Sequence, residues 1–167
     1  NEIETCLNDS DYPDKIDFYQ YDVKTQYALD WLREHDLKYD LDIYPEVKIF
    51  SSEVNIAGSI DVLLYNKNTD SYTIVDWKTS RMIDIKGFKN KKGTHPITKG
   101  LQDCNFVHYS FQLSFYRYLL EEYYGLKISN QIIAHISDKD CVGLQGNYYK
   151  QEVVDMIEHH LDILNGV

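Results

Sequence analysis

The 167 residues of this chain are enough for one domain with its own hydrophobic core. No apolar run reaches the ~20 residues that span a bilayer and no signal peptide is visible, so we expect an intracellular protein (cytoplasm, nucleus, mitochondrion or viral) without a membrane partner. The net charge of −10 argues against polyanion binding over the whole surface.

The number and spacing of the cysteines limit the cellular compartment and the metal centres that this chain can have. Three widely spaced cysteines without a CxxC pair suit a reducing compartment: Cys6, Cys104 and Cys141. Three cysteines cannot supply the four ligands of an iron–sulfur cluster, so no such cluster is expected.

The first part of the chain predicts helices. Residues 2–8 fit the end of a helix, and the polar stretch 9–18, which contains Pro13, predicts a loop. From residue 21 to about 37, apolar side chains recur at helical spacing, which predicts a packing helix. The members of this stripe are Tyr27, Ala28, Trp31 and Leu32.

Three predicted strands follow. Residues 44–50 form the first, and residues 56–65 and 72–80 are rich in β-branched and aromatic side chains. Turn-forming residues at 66–71 separate the last two strands. The pattern therefore predicts two successive β-hairpins.

Hairpin symmetry brings acidic residues together. If the second hairpin closes on residues 67–70, Asp61 lies directly across from Asp76, and a first hairpin centred on 52–55 places Glu46 opposite Asp61. Directly paired side chains lie about 5 Å apart, where like charges repel each other. A divalent cation reverses that repulsion, so the row predicts a metal site for Mg²⁺ or Mn²⁺.

Asp76 and Lys78 project from one face of the third strand, about 7 Å apart. A single Lys beside an Asp is usually a surface ion pair, but this Lys follows an apolar strand and two further acids. The pattern Asp61 … Asp76-Trp77-Lys78 resembles the PD-(D/E)xK nuclease superfamily. The resemblance implies an α/β fold with a restriction-endonuclease-like core, in which helices flank a mixed central sheet.

Two further motifs narrow the resemblance. The stretches Gly58-Ser59-Ile60-Asp61 and Asp76-Trp77-Lys78-Thr79-Ser80 are similar to the RecB-like branch, especially the mitochondrial genome maintenance exonucleases. Gln112 and Tyr116 match the QxxxY motif of that branch, and their spacing places them on one helix face. In that branch a His often precedes an Ile-Glu dipeptide by three positions, which here falls before Asn1, and Glu4 is a substitute candidate.

The resemblance assigns roles to these residues. It implies catalytic roles for Asp61, Asp76, Lys78, Gln112 and Tyr116. It implies metal coordination by Asp61, Asp76, the carbonyl of Trp77 and Glu46, with the Trp77 indole packed on the opposite face. One or two Mg²⁺ or Mn²⁺ ions are the expected cofactor.

A basic segment, residues 81–101, follows the third strand directly. Its Lys and Arg side chains suit contacts with a nucleic-acid backbone, since phosphates are contacted chiefly by these residues. The predicted contacts are Arg81, Lys86, Lys89, Lys91 and Lys92, with Tyr116 from the QxxxY motif. The alternative for this long connection is a solvated, mobile loop.

The remaining elements complete a single predicted domain, residues 1–167, which starts without Met and leaves room for a truncated N-terminus. Asp103 or Asn105 caps a helix that runs to about Tyr124. Residues 128–137 predict a core strand, 138–147 a turn-rich connection and 148–153 an edge strand. A closing amphipathic helix begins near Val153.

The predicted function is a metal-dependent deoxyribonuclease, with a preference for exonuclease action on single-stranded or frayed DNA ends. The expected partner is DNA with free ends, cut by a stand-alone enzyme or by the nuclease module of a larger repair, recombination or replication protein. Two alternatives stay open: an RNA endonuclease of cap-snatching type, and an inactive domain that binds nucleic acid or protein.

Overall fold

A five-stranded sheet with helices on its faces organises the part of the chain that the computed structural model describes, residues 2–9, 12 and 17–166. The elements in chain order are α1 (Glu2–Leu7), α2 (Val23–Tyr39), β1 (Leu41–Ser51), β2 (Ile56–Asn66), β3 (Ser71–Lys78), α3 (Asn105–Tyr123), β4 (Ile128–Ile136), β5 (Cys141–Gln145) and α4 (Lys150–Asn165). Most of the loop predicted at 9–18 lies outside the described residues. Within these ranges, every helix is too short or too polar to traverse a lipid bilayer.

The sheet is mixed, as the sequence predicted. Its order is β1-β2-β3-β4-β5, and only the β3–β4 pair is parallel. The crossover between these two strands contains α3, because parallel neighbours need a long connection. The architecture confirms the expected α/β fold with a restriction-endonuclease-like core.

Two apolar layers cover the sheet. On one face, which we call the α3 layer, α3 and α4 bury Leu113, Leu119, Val153 and Ile157 against Ile60, Ile74 and Ile133. On the other face, the α2 layer, α1 and α2 bury Ile3, Leu29, Trp31 and Leu32 near Val62, Val75 and Ile136. The sheet is therefore shielded on both faces, which suits strands with long apolar runs.

Both hairpins close in the predicted register. Asn66 pairs with Ser71, and Ser51 pairs with Ile56. The second turn is stabilised by the Asn66 side chain, whose Oδ1 accepts the backbone N–H groups of Asn68 at 2.9 Å and Thr69 at 3.2 Å. Local turn chemistry therefore sets the pairing of the two acidic strands.

The C-terminal prediction was wrong in two places. The edge strand is β5, inside the stretch predicted as a connection, and residues 148–153 instead contain the start of α4. Side chains from α3 and β4 hold this segment: the Asn147 carbonyl accepts from Gln131 Nε2 at 2.7 Å, and the Tyr149 N–H donates to Ser114 Oγ at 3.0 Å. These contacts replace the backbone pairing that a strand would need.

Candidate active site

The sheet splits between β2 and β3 at the acidic residues. The β2–β3 ladder ends at the pair Val62 and Val75, whereas β3 stays paired with β4 as far as Lys78. We call this point the fork. Just beyond it, the backbone N–H of Trp77 donates to Asp61 Oδ2 at 2.9 Å. Asp61 is thus held by its side chain where the ladder no longer continues.

The alternation of side chains along β1 and β2 breaks at the same level. Ile43 packs in the α2 layer and Val47 in the α3 layer, although a regular strand keeps residues four apart on one face. Between them Glu46 has a positive φ of 49°. The residues before and after Asp61 likewise belong to opposite layers. Such irregularities redirect side chains, and here they fall on the two acids that the register places opposite each other.

Asp76 is the most enclosed of the predicted acids. Its exposed fraction is 5%, and it forms an ion pair with Lys78. Its Oδ2 atom is buried, and the Lys78 ammonium is the partner that lies against it. Burial raises the pKa of the Asp76 carboxyl, the Lys78 ammonium opposes this rise, and the negative charge of Asp61 adds to it. Asp61 and Asp76 therefore interact electrostatically.

These two carboxylates fit a divalent cation. Carboxylate oxygens are the ligands that hard cations prefer, and burial keeps the Asp76 carboxylate largely out of contact with water, with the Lys78 ammonium as its charged partner. A cation between Asp61 and Asp76 would also remove their mutual repulsion. The residues present therefore suit the metal dependence predicted from the sequence.

Glu46 lies apart from this pair. Its side chain pairs with Lys48 at 3.3 Å and lies within hydrogen-bonding reach of Glu4. In the described part of the chain, no three His, Cys, Asp or Glu side chains gather into a ready-formed metal site. Metal coordination by Glu46 stays a prediction, and it requires the side chain to turn from Lys48.

Trp77 contributes to both faces of the sheet. Its indole packs in the α2 layer, where it meets the Trp31 ring edge-on with centroids 5.8 Å apart. This orientation was predicted from strand alternation and is confirmed. Metal coordination by the Trp77 carbonyl stays a prediction.

Asp61 also lines a cleft of about 480 Å³ between the end of β3 and the first two helices. The other polar residues along this cleft are Glu2, Asp22, Lys24, Thr25 and Thr79. The cleft gives solvent, and so an ion, a route to Asp61. It also brings α1 next to the candidate site.

The QxxxY residues lie on the face of α3 that covers β2. Gln112 Nε2 donates to the Tyr116 hydroxyl at 3.0 Å. The Tyr116 ring packs on Gly58, where an added Cβ would lie 2.5 Å from Tyr116 Cε1. A glycine three residues before Asp61 therefore allows α3 to approach this strand closely.

Replacing Gly58 with alanine is expected to lower the free energy of unfolding by about 1–3 kcal/mol, because the new methyl displaces the Tyr116 ring and disturbs its bond to Gln112. Chemical denaturation measures this difference. Gly100→Ala is the matched control, since an added Cβ there has no neighbour within 4 Å. Equal stability of the two variants would contradict the tight contact.

Tyr109 contacts the candidate site, although the sequence analysis assigned it no role there. The Lys78 ammonium lies 4.7 Å from the centroid of its ring, within the range of a cation–π contact. Tyr109 precedes Gln112 by three positions and Tyr116 by seven, so one helix face carries all three. That spacing could have indicated a role for Tyr109 beside the motif.

The basic segment has more internal structure than the connection expected from the sequence. Gln102 accepts from the Gly87 N–H at 3.0 Å through Oε1 and donates to Asn90 Oδ1 at 2.9 Å through Nε2. Residues 92 and 102 also form an isolated β-bridge. Asp103, predicted as a possible cap of α3, instead pairs with Lys91 at 2.7 Å and His108 at 2.9 Å.

The predicted nucleic-acid contacts lie at the surface of this segment. All five cations are exposed: Arg81, Lys86, Lys89, Lys91 and Lys92. Lys91 is engaged with Asp103, and Lys92 Nζ donates to the Gly100 carbonyl at 3.1 Å. Their contact with a nucleic acid remains a prediction.

The fold agrees with the comparison with known families. The model of the PD-(D/E)XK nuclease superfamily matches residues 14–160. The chain therefore belongs to the PD-(D/E)XK nuclease superfamily. Its class is that of nucleases, hydrolases that act on nucleic acid and generally use divalent metal ions.

Two individual proteins are similar to parts of this chain. An ATP-dependent helicase/nuclease subunit from Carboxydothermus hydrogenoformans is 29% identical over 96 residues, which are 58% of this chain and 7% of that protein. The chain thus corresponds to a small part of that relative. A solved structure described as the crystal structure of SSO0001 is 17% identical with a TM-score of 0.41, and the match covers 81% of this chain and 56% of that one.

Proposed function

We propose that this chain is a metal-dependent deoxyribonuclease that acts as an exonuclease on single-stranded or frayed DNA ends. The observation that carries the proposal is the fork, where Asp61 accepts the N–H of Trp77, the residue after Asp76, and Lys78 pairs with Asp76. Similarity of the DWKTS and QxxxY motifs to the RecB-like branch supports the exonuclease action. A role in repair, recombination or replication follows from the same similarity.

Asp61 and Asp76 would hold one or two Mg²⁺ or Mn²⁺ ions. A bound divalent ion lowers the pKa of a water and offsets charge on the phosphate and the leaving oxygen. The surrounding residues of the chain hold the two carboxylates in position. The Trp77 N–H fixes the Asp61 carboxylate through its hydrogen bond to Oδ2, and burial in the α3 layer restricts Asp76.

Lys78 has the geometry for a second task. Its ammonium lies between the Asp76 carboxylate and the Tyr109 ring, which restrict its position. From there Nζ can donate a hydrogen bond to the attacking water or to a phosphate oxygen, where negative charge increases in the transition state. Because Asp76 and Tyr109 already hold the Lys78 ammonium in place, it needs little movement to reach the reacting groups.

Gln112 and Tyr116 would guide the DNA strand. Gln112 is exposed, and its amide orients the Tyr116 hydroxyl above β2. An aromatic ring and an amide beside the acids offer contacts to a sugar or base without sequence preference. The helicase/nuclease relative further supports a nuclease module within a larger assembly.

A time course with Mg²⁺ on linear single-stranded, blunt duplex and circular single-stranded DNA tests this function. We expect linear strands to shorten and circles to survive. Cut circles would show endonuclease action and contradict the proposal. The same assay on labelled RNA separates an RNA endonuclease, and Mn²⁺ calorimetry without carboxylate-dependent binding would indicate an inactive domain.

A further inference from the structure

Three large apolar side chains project from the basic segment into solvent. The exposed fractions are 61% for Met82, 67% for Ile85 and 81% for Phe88. Such residues are not needed for folding, because the core lies in the two layers described above. Three such side chains within seven residues are a candidate contact surface, since grouped apolar side chains at a surface mark contacts with other molecules.

The backbone around Phe88 is well defined. Phe88 begins a short 3-10 turn, in which the Asn90 N–H donates to the Gly87 carbonyl at 2.8 Å and Lys89 has a φ of 51°. The Gly87 N–H and the Asn90 side chain are both held by Gln102. Phe88 thus lies on a turn that hydrogen bonds hold in one conformation, which reduces the conformational entropy lost when a partner binds.

Hydrogen bonds tie this segment to the start of α3. Asn105 accepts from the Asp84 N–H at 2.6 Å through Oδ1 and donates to the Met82 carbonyl at 2.9 Å. Asn105 is one turn before Tyr109, whose ring contacts the Lys78 ammonium. The apolar side chains therefore belong to the same structural unit as the candidate active site.

The charges around Phe88 favour a nucleic acid as the partner. Residues 81–92 carry five Lys and Arg side chains and a single acid, Asp84, in a chain whose net charge is −10. The Lys89 ammonium lies 5.5 Å from the centroid of the Phe88 ring. The ammonium lies over one face of the ring, so a base would stack on the opposite face while the ammonium contacts a neighbouring phosphate.

We propose that Phe88, with Met82 and Ile85 exposed on the same segment, is a stacking platform for an unpaired nucleobase. The proposal rests on the proposed function only in taking DNA as the substrate. It adds a selection step: an unpaired base can stack on Phe88, whereas a base inside an intact duplex has no free face. Lys89 would contact the adjacent phosphate.

Fluorescence anisotropy in EDTA tests the platform while no strand is cut. We expect Phe88→Ala to weaken binding of a labelled single strand about tenfold and to leave blunt duplex binding unchanged. Binding of an abasic strand of equal length should not change either, because it has no bases to stack. Phe88→Trp should bind the single strand as wild type does, and Phe88→Leu should resemble Phe88→Ala.

Phe50→Ala is the matched control. Phe50 is another exposed Phe, and its backbone bonds to the Tyr124 hydroxyl do not need its ring. Lys89→Ala should weaken binding to intact and abasic strands alike and reduce the salt dependence.

Three results would overturn the platform: an unchanged affinity in Phe88→Ala, an equal loss on the abasic strand, or full binding by Phe88→Leu. Self-association of the wild type that Phe88→Ala abolishes, with DNA binding intact, would assign the patch to a protein contact instead. Restoring Mg²⁺ separates the two proposals. If the wild type binds single strands without shortening them, only the exonuclease proposal fails.

Discussion

Asp76→Asn is expected to reduce DNA cleavage by about 10³-fold or more, because asparagine cannot supply the negative charge that holds a divalent ion beside Asp61. The fold should survive. Asparagine has nearly the same shape, its side-chain oxygen can still accept a hydrogen bond from Lys78, and the substitution removes a buried charge that repels Asp61. The lost ion pair and the lost repulsion oppose each other, so we expect a free energy of unfolding close to that of the wild type.

One measurement and one control variant separate the loss of cleavage from misfolding. Thermal unfolding should show that Mg²⁺ raises the Tm of the wild type, and that Asp76→Asn loses this increase. Asp70→Asn is the matched control: this exposed turn residue has a φ of 46°, which asparagine tolerates, and it only accepts a bond from the Tyr65 hydroxyl. Near-normal cleavage by folded Asp76→Asn protein would remove Asp76 from the catalytic residues.

Lys78→Ala is expected to abolish cleavage and, unlike Asp76→Asn, to destabilise the protein by about 3 kcal/mol in the absence of metal. Alanine leaves the buried Asp76 carboxylate without its ion-pair partner and removes the contact with Tyr109. Added Mg²⁺ should recover part of this stability, because a bound cation also neutralises Asp76. Urea denaturation with and without Mg²⁺ measures both effects.

An exposed ion pair gives the comparison for Lys78. Lys150 pairs with Glu122 at 2.9 Å at the surface, and Lys150→Ala should cost less than about 1 kcal/mol and leave cleavage intact. Cleavage at the wild-type rate by Lys78→Ala would show that the ammonium has only a structural role. Equal stability losses in the two variants would show that Asp76 is better solvated than its burial indicates.

The pairing of the acidic strands could be predicted from the sequence. Turn residues at 67–70 and 52–55 fix the centres of the two hairpins, and symmetrical closure then places Asp61 across from Asp76 and Glu46 across from Asp61. Both registers are those of the structure. The mixed character of the sheet followed from the family resemblance, since parallel pairing of β3 and β4 has no local signal.

The directions of the Glu46 and Asp61 side chains could not be predicted. Regular alternation assumes negative φ throughout a strand, but Glu46 has a positive φ and points to Lys48. The bond from the Trp77 N–H to Asp61 depends on the end of the β2–β3 ladder, which is a tertiary effect. The strand β5 was missed because its five residues contain Gly143 and no strong apolar alternation.

Through Trp77, a movement of the α2 layer can change the positions of the residues at the candidate active site. Its indole packs against Trp31, and its backbone N–H donates a hydrogen bond to the carboxylate of Asp61. Its two neighbours in sequence are Asp76 and Lys78. A small tilt of α2 would therefore alter the gap between the two carboxylates from behind the sheet. A molecule that binds the outer side of that helix could change the rate of hydrolysis without contacting the nucleic acid.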